Sequence, residues 1–390
     1  MTEATSIVII GGGPVGATLA LALRDSGLEV TVLEARSSGV ASNDQRTLAL
    51  SEGSRLILQR LGVWSELTAF ATPITTIHIS QRGRFGRTVM HAADEGQDAL
   101  GYVLPYAALA NVLDRKLMES GVARLIYQAR AMGLETTDAH ALIRYEHAGE
   151  LRGIETLLAV VADGGRSLNE FPGMTRDVRE YGHCAVVGKV TCEFAHAGTA
   201  YERFTPEGPV ALLPDGERGF ALVWTADPAT ADTLCALEES AFLDSLHRHF
   251  GDRVGRFLSI TGRTSFPLKL STLRPVTAPH LVVIGNAAQT LHPVAGQGFN
   301  LGLRDAWELA LTLRDASPEQ VGSVETLDRY RARRKPDTGG GIFFTDFLVR
   351  TFSNDLPGLG TARGAALTAL DLLPAARHFV ARKMSFGANG

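Results

Sequence analysis

Apolar residues in the first forty positions come in short runs cut by glycine. Ser6 to Ile10 is a β-branched run that stops at Gly11, the pattern of a strand buried on both faces. Ala17 to Arg24 is built of small and aliphatic residues suited to a helix, with Gly27 as a left-handed stop, and Glu29 to Leu33 resumes as a second strand. Strand, glycine turn, helix, glycine and strand make one βαβ unit, whose parallel connection is expected to be right-handed. Farther on, alternation and aromatic residues from about Ile74 to His91, and from Cys184 to about Pro267, predict antiparallel strands in a separate sheet. Val186 to Val190, Ala200 to Phe204 and Phe220 to Trp224 are among them. Leu281 to Ile284 returns as a buried strand entering a second glycine-rich turn, followed by a helix from about Asn300 to Leu313.

Gly339 to Gly341 then separates this body from a C-terminal segment in which Ile342, Phe343, Phe347, Leu348 and Phe352 recur at roughly helical spacing. Such a helix packs on the body of the protein, or else offers a surface to a membrane or partner.

Composition narrows the classes. The chain has 390 residues, 45% apolar and 21% charged, long enough for a large core and two interleaved domains. A net charge of -4 supplies no basic field for nucleic acid. Cys184, Cys192 and Cys235 show neither CxxC pairing nor zinc spacing, so no metal site is expected and the thiols read as reduced. The N-terminus lacks a positive leader, and the run after it is too short to span a bilayer, so a cytoplasmic location is expected.

Gly11-Gly12-Gly13-Pro14-Val15-Gly16 has the G-x-G-x-x-G spacing between a strand and a helix, with Glu34 and Ala35 closing the next strand about 20 residues on. Gly11 permits the turn, Gly13 lets a pyrophosphate approach the backbone, and Gly16 lets helix and strand pack. Glu34 is placed to accept hydrogen bonds from a ribose diol; a solvated strand-end acid is the plainer reading. The motif by itself fits FAD and NAD alike.

Two further stretches resemble the class A flavoprotein aromatic hydroxylases over nearly the whole chain. Val160-Val161-Ala162-Asp163-Gly164-Gly165-Arg166-Ser167 is similar to that family's D-G fingerprint, implying a place near the FAD pyrophosphate and a part in nicotinamide binding. Gly285-Asn286-Ala287-Ala288-Gln289-Thr290-Leu291-His292-Pro293, continuing through Ala295-Gly296-Gln297-Gly298-Phe299-Asn300-Leu301-Gly302, resembles the family's flavin turn, with Asn286 where most members carry an acid. This form, together with Asp44 to Leu50, Glu202-Arg203-Phe204-Thr205 and Leu222-Val223-Trp224, resembles the subgroup that hydroxylates polyprenyl phenols in ubiquinone biosynthesis, particularly the member acting on a methoxylated prenylphenol. The glycines at 296 and 298 leave room for a flat ring system, Pro293 fixes the chain direction there, and the helix starting near Asn300 aims its N–H groups at the ring's pyrimidine edge.

The resemblance implies a para-hydroxybenzoate-hydroxylase-like α/β fold with a discontinuous Rossmann-like FAD domain over residues 1–73, 92–183 and 268–338, a mainly antiparallel substrate sheet over 74–91 and 184–267, and helices over 339–390. It implies a bound FAD, visiting NADH or NADPH, O2 and a hydrophobic prenylated phenol as partners, and association with ubiquinone-pathway proteins, with a peripheral contact at the inner face of the membrane left open. Arg46 resembles an arginine placed against the flavin; a surface arginine is the alternative. No side-chain contact is assigned at Pro105-Tyr106-Ala107-Ala108, and no catalytic side chain is named, because the flavin carries the hard chemistry. His292 reads as a structural histidine, with a proton relay as the alternative. A same-fold hydroxylase or reductase with another substrate, and a non-catalytic FAD-stabilised subunit, are the competing readings; no Gly-Trp-x-Trp-x-Ile-Pro segment of the flavin halogenases is present.

Overall fold

The computed structural model describes residues 3–39, 44–167, 171, 173–205, 207–291, 296–352 and 359–387. Its opening strand, Glu3–Ile10, is fully buried from Ile7 onward. It pairs in parallel with Val30–Glu34 on one side and Glu150–Val161 on the other, Ile9 standing between Val32 and Val160. Arg124–Tyr127 continues the sheet beyond Val30–Glu34, and Leu281–Val283 beyond Glu150–Val161. One sheet thus draws parallel strands from the start, middle and last third of the chain, and the antiparallel strands Ala129–Thr136 and Ala141–His147 extend it at one end.

The helices Pro14–Ala22, Tyr106–Ser120 and Gln297–Arg314 cover one face, where Leu19, Leu113, Leu117, Leu303 and Leu309 pack with Ile7 and Ile9. Each such side chain contributes roughly 1.5–3 kcal/mol by leaving water. Eight of the nine residues of Pro14–Ala22 are buried, so this helix shows no apolar stripe; it is apolar all round because it is enclosed all round.

A second sheet has eight strands among the described residues. Thr76–Gln81 and Arg87–His91 pair as neighbours, and Thr175–Cys192, Gly219–Ala226, Val210–Asp215 and Thr199–Phe204 follow in antiparallel order. Two strands of 18 residues, Thr175–Cys192 and Phe257–Arg274, run past the expected limits at Cys184 and Pro267 toward the first sheet. The join between Thr199–Phe204 and Thr76–Gln81 is parallel, which two segments so distant in sequence are free to adopt because no hairpin links them. A three-stranded antiparallel sheet of Thr47–Ser51, Gly101–Pro105 and Thr72–Ile74 sits between the two bodies. The α/β architecture with an added, mainly antiparallel sheet and C-terminal helices is the one expected.

One expectation fails. Gly339 to Gly341 do not end a segment, because the helix Val324–Phe352 runs through them and past Pro336. Each glycine costs roughly 0.5–1 kcal/mol relative to alanine in a helix, an amount that tertiary anchoring of the first half outweighs. Leu327 and Tyr330 are buried against the main core there. Two further helices, Leu359–Leu372 and Pro374–Phe386, follow, and no described helix is long and apolar enough to cross a membrane.

Candidate active site: a polar groove beside an apolar cavity

At the carboxyl ends of the parallel strands lies a polar groove of about 270 Å³. Gly11, Gly13, Pro14, Val15, Glu34, Ala35, Arg46, Asp163, Gly164, Asn286, Gly298 and Phe299 all line it, so the chain's three glycine-rich motifs converge on one place. The turn that opens the groove admits no side chain at Gly11. Gly11 holds φ at 105°, and a Cβ there would lie 2.6 Å from the Cα of Asp163. Gly16 stands behind the groove, where a Cβ would fall 2.0 Å from the carbonyl oxygen of Gly11, and Gly285 packs on Val15. No side chain caps the helix Pro14–Ala22. Its first N–H groups and the positive end of its dipole face the groove, as an anion such as a pyrophosphate requires.

Glu34 is largely buried and already engaged. Its carboxylate accepts from the N–H of Gly12 at 2.8 Å, the N–H of Arg36 at 2.9 Å, and Arg36 Nε and Nη2 at 2.9 and 3.1 Å. Burial alone would raise this carboxyl; the Arg36 and Gly12 hydrogen bonds outweigh it and hold it below its ordinary value. A ribose diol therefore meets an acid whose lone pairs are shared with a partly exposed guanidinium. Glu34→Gln, which keeps the shape and loses the charge, is expected to weaken binding of an adenosine-containing cofactor about tenfold, some 1.4 kcal/mol, read by equilibrium dialysis. Unchanged affinity would remove Glu34 from the binding set.

Arg46 is clamped by Asp44 and stacks over the ring of Tyr106, its guanidinium carbon 4.4 Å from the ring centroid. Tyr106 and Arg36 line the groove and were not among the expected residues, and Arg166, from the fingerprint that holds Asp163, lines it with them. Arg36 lies two positions beyond Glu34, close enough along the chain to be anticipated; Tyr106 sits where no side-chain contact was expected, and the pairing of Pro105 with Thr47, with the Tyr106 N–H donating to the Arg46 carbonyl, places it. The Asp163 carboxylate accepts from the N–H groups of Gly165 and Ser167, fixing the turn that forms the groove's far wall.

Gly296, Gln297 and Asn300 face elsewhere. They line a second cavity of about 490 Å³, and the Asn300 side chain is spent on structure. It accepts from the N–H of Ser51 and the hydroxyl of Ser54, and donates to the carbonyls of Ala49 and Gly296. The two cavities share two walls: the strand Thr47–Ser51, with Leu48 on the groove and Ala49 on the cavity, and the first turn of the helix Gln297–Arg314. Pro293 and His292 lie outside the described residues.

Behind the second turn is a buried ionic quartet. Asp305 accepts from the N–H of Gly285 and from Gln289 Nε2, and pairs with Arg334 at 2.6 Å. Arg334 also binds Asp337, which pairs with Arg304. Two acids and two bases balance, and through Asp305 they fix the Gly285–Gln289 turn to the helix Val324–Phe352. Sequence reasoning passed over this group because its members read as ordinary charged positions on helices.

The larger cavity is apolar. Ile77, Ile79, Ala200, Phe204, Ala211 and Leu213 line it from the second sheet, and Leu367, Leu370, Val380 and Met384 cover it from the C-terminal helices. Glu202 interrupts this surface. Burial pushes its carboxyl up to about 7 from an ordinary 4.5, and its Oε1 is sealed from solvent with no hydrogen-bond partner. A folded-state value above the unfolded one means that this group's contribution to stability is full below about pH 4.5 and is lost as pH rises to about 7. Relative to Glu202→Gln, the native protein should lose up to about 3 kcal/mol between pH 5 and 8 by urea denaturation. Parallel pH profiles would show the carboxyl to be solvated.

Comparison with known proteins agrees with this geometry. Residues 4–338 match the family described as FAD binding domain. The chain is 33% identical over 390 residues to the ubiquinone hydroxylase UbiL of Rhodospirillum rubrum, covering 98% of this chain and 90% of that protein. It is 30% identical over 379 residues to the 3-demethoxyubiquinol 3-hydroxylase of Escherichia coli, covering 95% of each. Among solved structures, p-nitrophenol 4-monooxygenase from Pseudomonas putida shares the fold with a TM-score of 0.79 at 18% identity, over 99% of both chains.

Proposed function

We propose, from the premise that this chain belongs to the FAD-binding family and is a flavin-dependent monooxygenase of ubiquinone biosynthesis, that it hydroxylates the ring of a polyprenylated methoxyphenol at the expense of NADH or NADPH. The observation that carries the reading is the wall shared by the polar groove and the apolar cavity, across which a cofactor in the one would meet a lipid-like ring in the other.

The residues present fit FAD. The uncapped N-terminus of Pro14–Ala22 would hold the pyrophosphate and Glu34 the adenosine ribose, with Tyr106 and Arg46 lining the groove and Gly298 and Phe299 on the wall it shares with the cavity. When bound, FAD supplies the redox chemistry that activates O2 for transfer to an electron-rich ring. The chain's own part is to bind, orient and keep water out. The cavity lining from Ile77 to Met384 receives the prenyl chain, and burial of that chain excludes solvent from the ring. Only one dinucleotide fingerprint occurs in the sequence, which supports a resident FAD and a nicotinamide that visits.

The remaining assignments belong to the same proposal. Residues 1–73, 92–183 and 268–338 serve the cofactor and 74–91 with 184–267 the substrate; the protein works in the cytoplasm, in contact with ubiquinone-pathway proteins and the inner face of the membrane. Exposed Leu372, Leu373 and Phe379, on and between the helices that cover the cavity, support a contact through which a lipid-like substrate enters.

The test is an absorbance spectrum of the purified protein, then anaerobic NADH or NADPH titration with and without a short-chain prenylated methoxyphenol. Two flavin bands that bleach faster with the phenol, and product oxygen derived from O2, are expected. Failure to load FAD would overturn the reading; bleaching indifferent to the phenol would overturn the substrate.

A further inference from the structure

Within the substrate cavity, the second sheet presents one face through alternate positions of its strands. Ala200, Glu202 and Phe204 come from one strand, Ile77 and Ile79 from the neighbour on one side, and Ala211 and Leu213 from the neighbour on the other. Glu202 sits directly between Ile79 and Ala211 in register. The other positions of this face that line the cavity, Ile77, Ile79, Ala200, Phe204, Ala211 and Leu213, are apolar, and a carboxylate among them runs against the period-two pattern that builds the sheet. An orphaned acid here is costly to stability, as its sealed Oε1 shows.

Among the described residues, the titratable groups lining the cavity are Glu202, Tyr201 and Arg363. Tyr201 turns its ring to the opposite face of the sheet, where it meets His78, Phe220 and Phe250. Arg363, on the helix Leu359–Leu372, is buried and has bonding partners of its own. Arg203, the next residue, stacks on Phe250 on that opposite face. Among the described residues Glu202 is therefore the carboxylate of the cavity lining; Ser51, Gln297, Asn300 and Ser385 are its neutral polar members.

We infer that Glu202 is the positioning residue for the substrate's ring hydroxyl: its carboxylate accepts the phenolic O–H while the prenyl chain lies along the apolar lining. The inference rests on the proposed function and deepens it. A prenylated phenol has one strong donor on an otherwise greasy body, and a cavity with one unsatisfied acid is its complement. Fixing that hydroxyl fixes the ring's rotation, and so the carbon presented at the wall shared with the polar groove. Proton transfer along the same hydrogen bond is balanced without a co-reactant. The phenol O–H bond breaks, a carboxyl O–H bond forms on Glu202, and the electron pair stays on the phenol oxygen, enriching the ring. The phenol is the weaker acid of the two, by about three units, so the proton rests on the phenol and shifts only as the ring is attacked.

The test compares binding of a short-chain prenylated methoxyphenol with that of its O-methyl ether, by calorimetry on FAD-loaded native protein, Glu202→Gln and Glu202→Leu. The native protein is expected to prefer the phenol by roughly tenfold to a hundredfold at pH 8, the range of a hydrogen bond to a buried charge, and to lose part of that preference as pH falls below 7. Glu202→Gln should show a smaller, pH-independent preference. Glu202→Leu should bind both compounds equally while still holding the ether, which shows its cavity to be intact. A phenol preference that survives in Glu202→Leu overturns the assignment and leaves the substrate class standing. Native protein that holds FAD but binds neither compound overturns the substrate class together with the assignment.

Discussion

Arg334→Met is expected to lower the stability of the protein by about 3–5 kcal/mol, the range for stripping one partner from a buried ion network. Arg334 is 4% exposed and joins Asp305 to Asp337. Methionine fills much of its volume, so the loss comes chiefly from charge: two buried carboxylates remain against Arg304 alone. Urea denaturation should show the shift, and Asp305→Asn in the same background should recover part of it, because one of the stranded charges is then gone. The effect should also reach the site. Asp305 holds the N–H of Gly285 and the side chain of Gln289, so the second glycine turn loosens and FAD is retained less well. A change below 1 kcal/mol would mean that water already screens the quartet.

Gly11→Ala is expected to abolish FAD retention and to destabilise the fold by several kcal/mol. Two causes act together there. The positive φ of Gly11 is strained for any residue with a Cβ, and that atom would stand 2.6 Å from the backbone of Asp163, which no rotamer change relieves. Gly12→Ala is the control: its Cβ would meet side-chain atoms of Glu34 at 3.2 Å, in a backbone conformation open to alanine. Gel filtration with added FAD should give a colourless Gly11→Ala protein and a yellow Gly12→Ala protein. Two yellow proteins would mean that the strands part to make room.

What could be read beforehand follows from how local each signal is. The opening βαβ unit was legible because strand, glycines and helix are consecutive, and the alternation of Val186 to Val190 and Phe220 to Trp224 showed the second sheet. The outer half of the long strand Thr175–Cys192 was missed because its charged positions, the part-buried Arg176 and the exposed Asp177, Arg179 and Glu180, leave no apolar period to mark it. The glycines at 339–341 were over-read: a local stop signal yielded to a helix anchored by Leu327, Tyr330 and Arg334 in the turns before it. In the site, motifs gave the groove, while Tyr106 and the wall shared with the cavity depend on pairings across the whole chain. Gln297 and Asn300 went to the cavity rather than the groove because the turn of a helix sends neighbours to opposite sides, and a motif written in a line does not show that.

The parallel join between Thr199–Phe204 and Thr76–Gln81 bears on how the protein comes into being. The hydrogen bond from Thr75 to Gly198 spans 123 residues, and that from Thr156 to Ser6 spans 150, so neither large sheet closes until much of the chain exists. Closure over such distances is slow, because loop entropy must be met before any contact compensates it. A nascent chain released short of residue 281 lacks the strand Leu281–Val283 and leaves Ala159–Val161 with a bare edge, a template for pairing with other chains. Groove and cavity therefore mature in a single late event, and fragments cut between them should aggregate rather than persist as half-enzymes.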